Sequence, residues 1–397
     1  MKIGIEVQRL FRKKKFGIET SSLELIKTLR ELEPKHEFVI FAKKDKDNQC
    51  LEPSEHLSIR TVGGKLFIDF EQFFLPLAAH REQVDILHCT GNTAPLFSSV
   101  PVVQTLHDVI FMDAIPSSDT LYQRFGNHYR RRLVPIVTPR SKAVITVSQF
   151  ERERIVQRLG ISRDKIHVVY NGINEQHFKN TFTVSEQNSV REKYKLPENF
   201  ILFLGNEATR KNPGRVIEAY IKYASANRDA MPLVTPGLSQ TFIARKLKQL
   251  SIPCDPLRFV TPGYIADADL PVLYNLCNIF LFPSLSEGFG MPLVEAMACG
   301  APAITSTTSC LPEIAGNAAV LVNPLKVDEL ASGITTLASN EELRRKKIEA
   351  GLLNAKRFSW FRSAESVLSI YEKVYEEARS VQKRPGFFDK HVFAPRH

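Results

Sequence analysis

Strand-length apolar runs alternate with helically spaced apolar positions along almost the whole chain, and few folds accept that alternation. Phe200-Ile201-Leu202-Phe203-Leu204 and Ile279-Phe280-Leu281-Phe282 are apolar at every position. A strand of this kind needs cover on both faces, as in a parallel sheet with helices above and below. The first half offers further strands at 2–7, 37–41, 57–61, 86–88, 102–106, 143–147 and 167–169, with a helix over 20–32. Ser148, three residues ahead of Glu151, predicts a capping box at a second helix. The later half repeats the grammar: strands at 200–204, 257–260, 279–282 and 320–322, and helices at 212–224, 270–276 and 327–337. Two βα halves in tandem are expected, joined by an irregular linker at about 171–198 that opens on the turn Asn171-Gly172. Ligands of such sheets collect at the carboxyl ends of the strands, so two lobes can share one cleft.

Composition narrows the class. At 397 residues, 43% hydrophobic and 24% charged, the chain reads as a soluble protein of about two domains. No apolar run approaches the ~18 residues that span a bilayer. Met1-Lys2-Ile3-Gly4-Ile5 starts a strand rather than a signal peptide. Six scattered cysteines suit free thiols, so a cytoplasmic location is expected. The net charge of +10 points to anionic partners, and it concentrates at Arg12-Lys13-Lys14-Lys15 and Arg130-Arg131-Arg132. Neither cluster interleaves with stacking aromatics, so no nucleic-acid partner is expected. Peripheral contact with an anionic membrane surface suits them, and plain solvated charge is the simpler account.

The chemistry concentrates in Glu287-Gly288-Phe289-Gly290-Met291-Pro292-Leu293-Val294-Glu295. Gly288 and Gly290 allow a tight turn that brings bare backbone to a ligand. Pro292 suits the start of a helix and Gly300 its end, predicting a helix over 291–299. Its free N–H groups would face out of the glycine turn as an anion site. Glu295 stands one turn in among apolar neighbours, where a carboxylate needs a partner. Arg210-Lys211-Asn212-Pro213 follows the strand end Leu204-Gly205-Asn206 and places a fork-shaped and a point cation before another helix.

These strings resemble glycosyltransferase family 4, the retaining enzymes of the GT-B fold, and in particular its bacterial mannosyltransferase-like group 1 members. The resemblance covers essentially the whole chain. It implies an α/β protein of two Rossmann-like, doubly wound lobes facing a cleft. The terminal helix, after Phe358-Ser359-Trp360, would cross back to the first lobe. The implied domains are 1–185 with about 363–397, an acceptor-side lobe, and 186–362, a sugar-nucleotide lobe. Arg210 and Lys211 would clamp the donor diphosphate with Gly288, Phe289, Gly290 and Met291, and Glu295 would hold the ribose. Glu287 would act at the sugar, as transient nucleophile or as positioning group. His107, in Thr105-Leu106-His107-Asp108, would touch the transferred sugar, with Asp108 orienting its ring. Gly17, in the loop Phe16-Gly17-Ile18-Glu19, would lie near acceptor and phosphate. Where the family often has arginine after the strand-end glycine, this chain has Asn206.

Tyr264, after Pro262-Gly263, either borders the base or packs in its loop. Asp267 and Asp269 formally match a paired-aspartate metal motif but precede the helix at 270–276, so N-capping is expected of them. No metal or other cofactor is expected. The implied activity moves a hexose, with GDP-mannose the modal donor, to a glycan or polyprenyl-diphosphate-linked saccharide. A sugar-nucleotide epimerase and a catalytically silent binder are the alternatives. The segment beyond about 384 is mobile or lipid-facing on this reading.

Overall fold

The computed structural model of the chain describes residues 1–32, 35–47, 49–113, 121–251 and 258–382. Seven of its strands form one sheet: β1 (Lys2–Glu6), β2 (Glu37–Ala42), β3 (Leu57–Thr61), β4 (Ile86–Cys89), β5 (Val102–Thr105), β6 (Ala143–Thr146) and β7 (Ile166–Val168). Six form the second: β8 (Ile201–Phe203), β9 (Leu233–Val234), β10 (Phe259–Val260), β11 (Ile279–Phe282), β12 (Ala303–Ser306) and β13 (Ala319–Val322). Every pairing within them is parallel. The orders are β3-β2-β1-β4-β5-β6-β7 and β10-β9-β8-β11-β12-β13. Each sheet starts in its middle, winds outward one way, then returns to wind the other. The reversals between β1 and β4, and between β8 and β11, open a crevice at the carboxyl ends of the strands.

The unbroken apolar runs follow from this layering. Ile201, Phe203, Ile279 and Leu281 face a core shared with helices Pro213–Ala226 and Val327–Ser339, whereas Leu202, Phe280 and Phe282 face one shared with helix Met291–Ala298. The last described helix, Trp360–Gln382, returns to the first sheet. Its Ala364, Val367, Tyr371 and Val374 pack with Ile3, Ile5, Leu23 and Ile26. Inside this core the Tyr371 hydroxyl lies 2.6 Å from Nδ1 of His88, whose Nε2 lies 2.7 Å from Oγ1 of Thr105.

The chain crosses between the lobes twice, and the crossings touch. Ile173 N–H donates to Phe358 O at 2.9 Å, and Ile173 forms a parallel bridge with Ser359. A Cβ on Gly172 would collide with the backbone nitrogen of Trp360, so only glycine lets the two strands lie this close.

Three expectations need correction. The stretch at 171–198 is not wholly irregular, because it holds the helix Val184–Tyr194 behind a complete Thr183/Glu186 capping box. At Ser148 only half a box forms: the hydroxyl accepts from Glu151 N–H, but the Glu151 carboxylate turns inward to Val109 N–H and Arg154. Burial lifts that carboxyl to about 7. Gly17 is not in a loop; it opens the helix Gly17–Leu32, and Glu19 accepts Phe16 N–H at 3.1 Å. The segment beyond residue 382 and Leu257 lie outside the described residues.

Candidate functional site

The glycine turn joins the end of β11 to helix Met291–Ala298. Gly290 has φ +93, a backbone state L side chains rarely adopt, and a Cβ there would meet Leu311 at 2.8 Å. Gly288 has a different reason to lack a side chain. A Cβ would approach the carbonyl oxygen of His107, from the other lobe, to 2.7 Å. Ser148 Oγ, also from that lobe, donates to Gly288 O at 2.8 Å. Phe289 is buried against Tyr170 and Phe358, so only its backbone can face a ligand.

Glu287 meets both cations of the Arg210-Lys211 pair. Arg210 Nη1 lies 3.0 Å from one carboxylate oxygen and Lys211 Nζ 2.6 Å from the other. Burial works to raise the Glu287 pKa, but Lys211 and Arg210 outweigh it and hold the group below the ordinary carboxylate range. It is therefore an anion at neutral pH. Lys211 is also placed 4.7 Å over the Phe282 ring at the end of β11. Asn212 explains why the two cations sit there. It adopts φ +64, is buried, and donates through Nδ2 to Pro283 O and Pro324 O, tying the two cations to the chain just past β11 and β13, the strands on either side of β12. Asn206, at the position of the expected arginine, caps its own turn by accepting Ala208 N–H.

Glu295 lies one turn into the helix. Its Oε2 accepts the Tyr274 hydroxyl at 2.9 Å, and burial lifts it to about 7 against the pull of that bond and of Lys211. Sequence reasoning missed Tyr274, which sits in helix Leu270–Leu276 with nothing in its spacing to tie it to Glu295.

His107 follows β5. Its Nε2 lies 3.0 Å from Thr90 O, which fixes Nε2 as the protonated nitrogen and leaves Nδ1 as an acceptor. Burial lowers its pKa, so the ring is neutral near pH 7. Asp108 does not orient the ring by a hydrogen bond; its Oδ1 accepts Ile110 N–H instead, and its influence on His107 is that of a nearby charge.

Tyr264 is 66% exposed, donates to Asp267 at 3.3 Å, and lies beneath Lys14 of the other lobe, 5.1 Å from ring centroid to Nζ. Asp269 is not a side-chain N-cap. It accepts from Lys193 Nζ and the Tyr194 hydroxyl, partners about 75 residues away. Nor are the two basic clusters uniformly solvated. Lys15 pairs with Asp47, Arg131 donates to Phe111 O, and Arg130 stacks on Phe111. Among the described residues no group of three His, Cys, Asp or Glu side chains could hold a metal ion.

Two further features of the cleft were not foreseen. Glu313 of the second lobe accepts the N–H groups of Gln149 and Phe150, seating a carboxylate on the N-terminus of a first-lobe helix. In the first lobe, a cavity of about 240 Å³ opens beside the β1/β4 reversal, walled by Glu6, Glu19, Glu71, Thr90 and Tyr129. Gly17 is not among its lining residues.

The comparisons with known proteins agree with this layout. The Glycosyltransferase Family 4 model matches residues 17–177, and the Glycosyl transferases group 1 model matches residues 185–353. The serotype-specific mannosyltransferase WbdA of Escherichia coli is 28% identical over 257 residues, 64% of this chain and 31% of that protein. The O-antigen chain mannosyltransferase B of Escherichia coli is 29% identical, over 58% of this chain and 61% of that one. The chain thus spans less than two thirds of the length of these relatives. Among solved structures, sucrose-phosphate synthase from Thermosynechococcus elongatus superposes with TM-score 0.72 at 18% identity, covering 95% of this chain and 99% of its own. HepE of Anabaena in complex with UDP and glucose gives 0.69 at 18% identity, covering 94% and 100%. These last likenesses establish the fold, two facing Rossmann-like lobes of GT-B type. With the two family matches adjoining across the cleft, the chain belongs to the glycosyltransferases, family 4 in its first half and group 1 in its second.

Proposed function

We propose that the chain is a retaining transferase that moves a hexose from a nucleoside-diphosphate sugar to a glycan or polyprenyl-diphosphate-linked saccharide in surface polysaccharide synthesis. The carrying observation is the convergence of Arg210, Lys211 and Glu287 at the N-terminus of helix Met291–Ala298, with Gly288 pressed against His107 of the opposite lobe. The relatives, a serotype-specific mannosyltransferase and two O-antigen chain mannosyltransferases, favour GDP-mannose as first donor to try.

In this reading the diphosphate takes over the cations that Glu287 now engages. The bond from C1 to the leaving phosphate breaks while Arg210, Lys211 and the helix N-terminus stabilise the charge growing on it. Glu287, freed of the clamp but still anionic, faces the cationic character at C1. The acceptor hydroxyl attacks from the same face, its oxygen forms the new bond to C1, and its proton passes to the departing phosphate. His107 accepts a sugar hydroxyl through Nδ1, Glu295 accepts the ribose hydroxyls, and Tyr264 borders the base. Fixed cations and the helix end do the work a metal does elsewhere, so excess chelator should leave the rate unchanged. No helix of the described residues is long and apolar enough to cross a membrane. Action at the inner face of the cytoplasmic membrane is part of the proposal.

Nucleoside-diphosphate release, measured across GDP-, UDP-, dTDP- and ADP-sugars with and without lipid-linked acceptor, tests the reading. Acceptor-stimulated release supports it. Conversion of donor alone would indicate an epimerase, and binding without either would indicate a silent binder.

A further inference from the structure

Several large apolar side chains stand exposed on one part of the first lobe. Segment 67–81, loop 94–100 and helix Leu121–Val137 pack together through Phe70, Leu75, Leu96, Leu133 and Val137. On the outside they present Phe73 at 71% exposure, Phe97 at 80% and Phe125 at 56%, with Leu77 and Ile136 nearly half exposed. A monomeric soluble protein seldom leaves such residues grouped without a use. Phe125, Leu96 and Ile136 line one concave surface together with Arg124, His128 and Arg132.

The charge on this face is one-sided. Helix Leu121–Val137 holds four arginines and no acidic residue. Of the arginine run at 130–132, only Arg132 is exposed; Arg124, on the same concave surface, and Arg81, which ends segment 67–81, are exposed too. Segment 67–81 has two carboxylates, both committed elsewhere. Asp69 accepts the N–H groups of Lys65 and Phe70, and buried Glu71 accepts from Thr93 and Tyr129. Aromatic side chains beside arginines, with no opposing carboxylate among the described residues of this face, match an interface that is apolar below and anionic at its rim.

We infer that this face docks on an anionic bilayer, with Phe73, Phe97 and Phe125 entering the acyl boundary and Arg81, Arg124 and Arg132 meeting lipid phosphates. The same helix has a second use. Its Gly126, Tyr129 and Arg130 line the first-lobe cavity beside Thr90 and Glu6. A helix wet by lipid on one side and by the cavity on the other brings a membrane-held acceptor's sugar end to the cleft. This deepens the reading of a lipid-linked acceptor and rests on it for its purpose, while the docking itself is tested without any turnover.

The test is co-sedimentation of the full chain with phosphatidylcholine vesicles, with and without phosphatidylglycerol, at low and high salt. The wild type should pellet with the anionic vesicles only. Replacing Phe73, Phe97 and Phe125 together by serine should weaken partition at least tenfold at either salt concentration. Arg124→Ala with Arg132→Ala should weaken it about fivefold per charge, chiefly at low salt. Both variants should keep the wild type's thermal stabilisation by nucleoside diphosphate, which shows that they fold. Wild-type protein that ignores anionic vesicles, or folded variants that pellet as well as it does, would overturn the inference. So would a wild-type dimer that the serine variant turns into monomer with no lipid binding in either, since the face would then belong to a second copy. Vesicle binding without any sugar transfer would leave the docking face standing and remove the transferase reading alone.

Discussion

Replacing Glu287 by glutamine should make the empty protein less stable and yet make it bind nucleoside diphosphate more tightly. The Lys211 ammonium stands 2.6 Å from the Glu287 carboxylate with only 13% of its side chain exposed, so it has little water to turn to. Removing one partner of a fully buried pair costs about 3–5 kcal/mol. Arg210 is 44% exposed and recovers solvation, which brings the expected loss down to about 2–3 kcal/mol. For a lobe of this size that is a fall in Tm of roughly 4–12 °C. A diphosphate restores the missing anion, and it no longer has to displace a carboxylate that already occupies both cations. Its affinity should rise about tenfold, or about 1.4 kcal/mol. Turnover should fall at least ~100-fold, because the anion facing C1 is gone. Scanning fluorimetry and titration calorimetry with GDP and UDP read the first two effects, and acceptor-dependent release reads the third. A variant with wild-type Tm and unchanged or weaker diphosphate binding would refute the reasoning, since Glu287 would then not hold the clamp.

Other substitutions report on separate parts of the site. Glu295→Gln should raise the donor KM about tenfold with little change in kcat. In the wild type, donor affinity should weaken as pH falls through about 7, where Glu295 takes up a proton and stops accepting ribose hydroxyls, and the glutamine variant should show no such dependence. Asn212→Ala should cost about 2–3 kcal/mol in denaturant unfolding, because it leaves the carbonyls of Pro283 and Pro324 unpaired and puts alanine at φ +64. Burial lifts Glu6 from 4.5 to about 7, so its contribution to stability is full below pH ~4.5 and is lost as pH rises through 7. Glu6→Gln should therefore gain up to about 3 kcal/mol over wild type at pH 8 and almost nothing at pH ~4, as measured by urea melts at both.

The fold was legible where the chain is buried on both faces. Phe200–Leu204 and Ile279–Phe282 announce central strands, because only a strand covered from both sides can be apolar at every position. β9 is two residues long and stands between Pro232 and Pro236, so no periodicity could reveal it. Helix Leu121–Val137 was hidden by Pro135 and its run of arginines, and the mixed α and π turns at 67–81 by Pro76. The helix after Thr183 had a readable signal, its capping box, but buries only Val190 and Tyr194 and so lacks an apolar stripe. At the site, spacing picked out Glu287, Arg210, Lys211 and Glu295, because glycine turns and helix starts are local chemistry. Which of them touch is not local. An N-capping aspartate and an aspartate awaiting Lys193 from a distant helix look alike in sequence. The same holds for Gly288, whose missing side chain serves a carbonyl of the opposite lobe.

The paired crossings at Gly172–Ile173 and Phe358–Trp360 give the two halves an axle instead of a tether. A single ribbon would let one half slide, twist or drift. Two ribbons bonded edge to edge restrain the halves more than one would, and so help keep the Arg210–Lys211–Glu287 cluster opposite His107. A bulkier residue at 172 would force that axle apart and disturb how the halves face each other, without changing any side chain of the cluster.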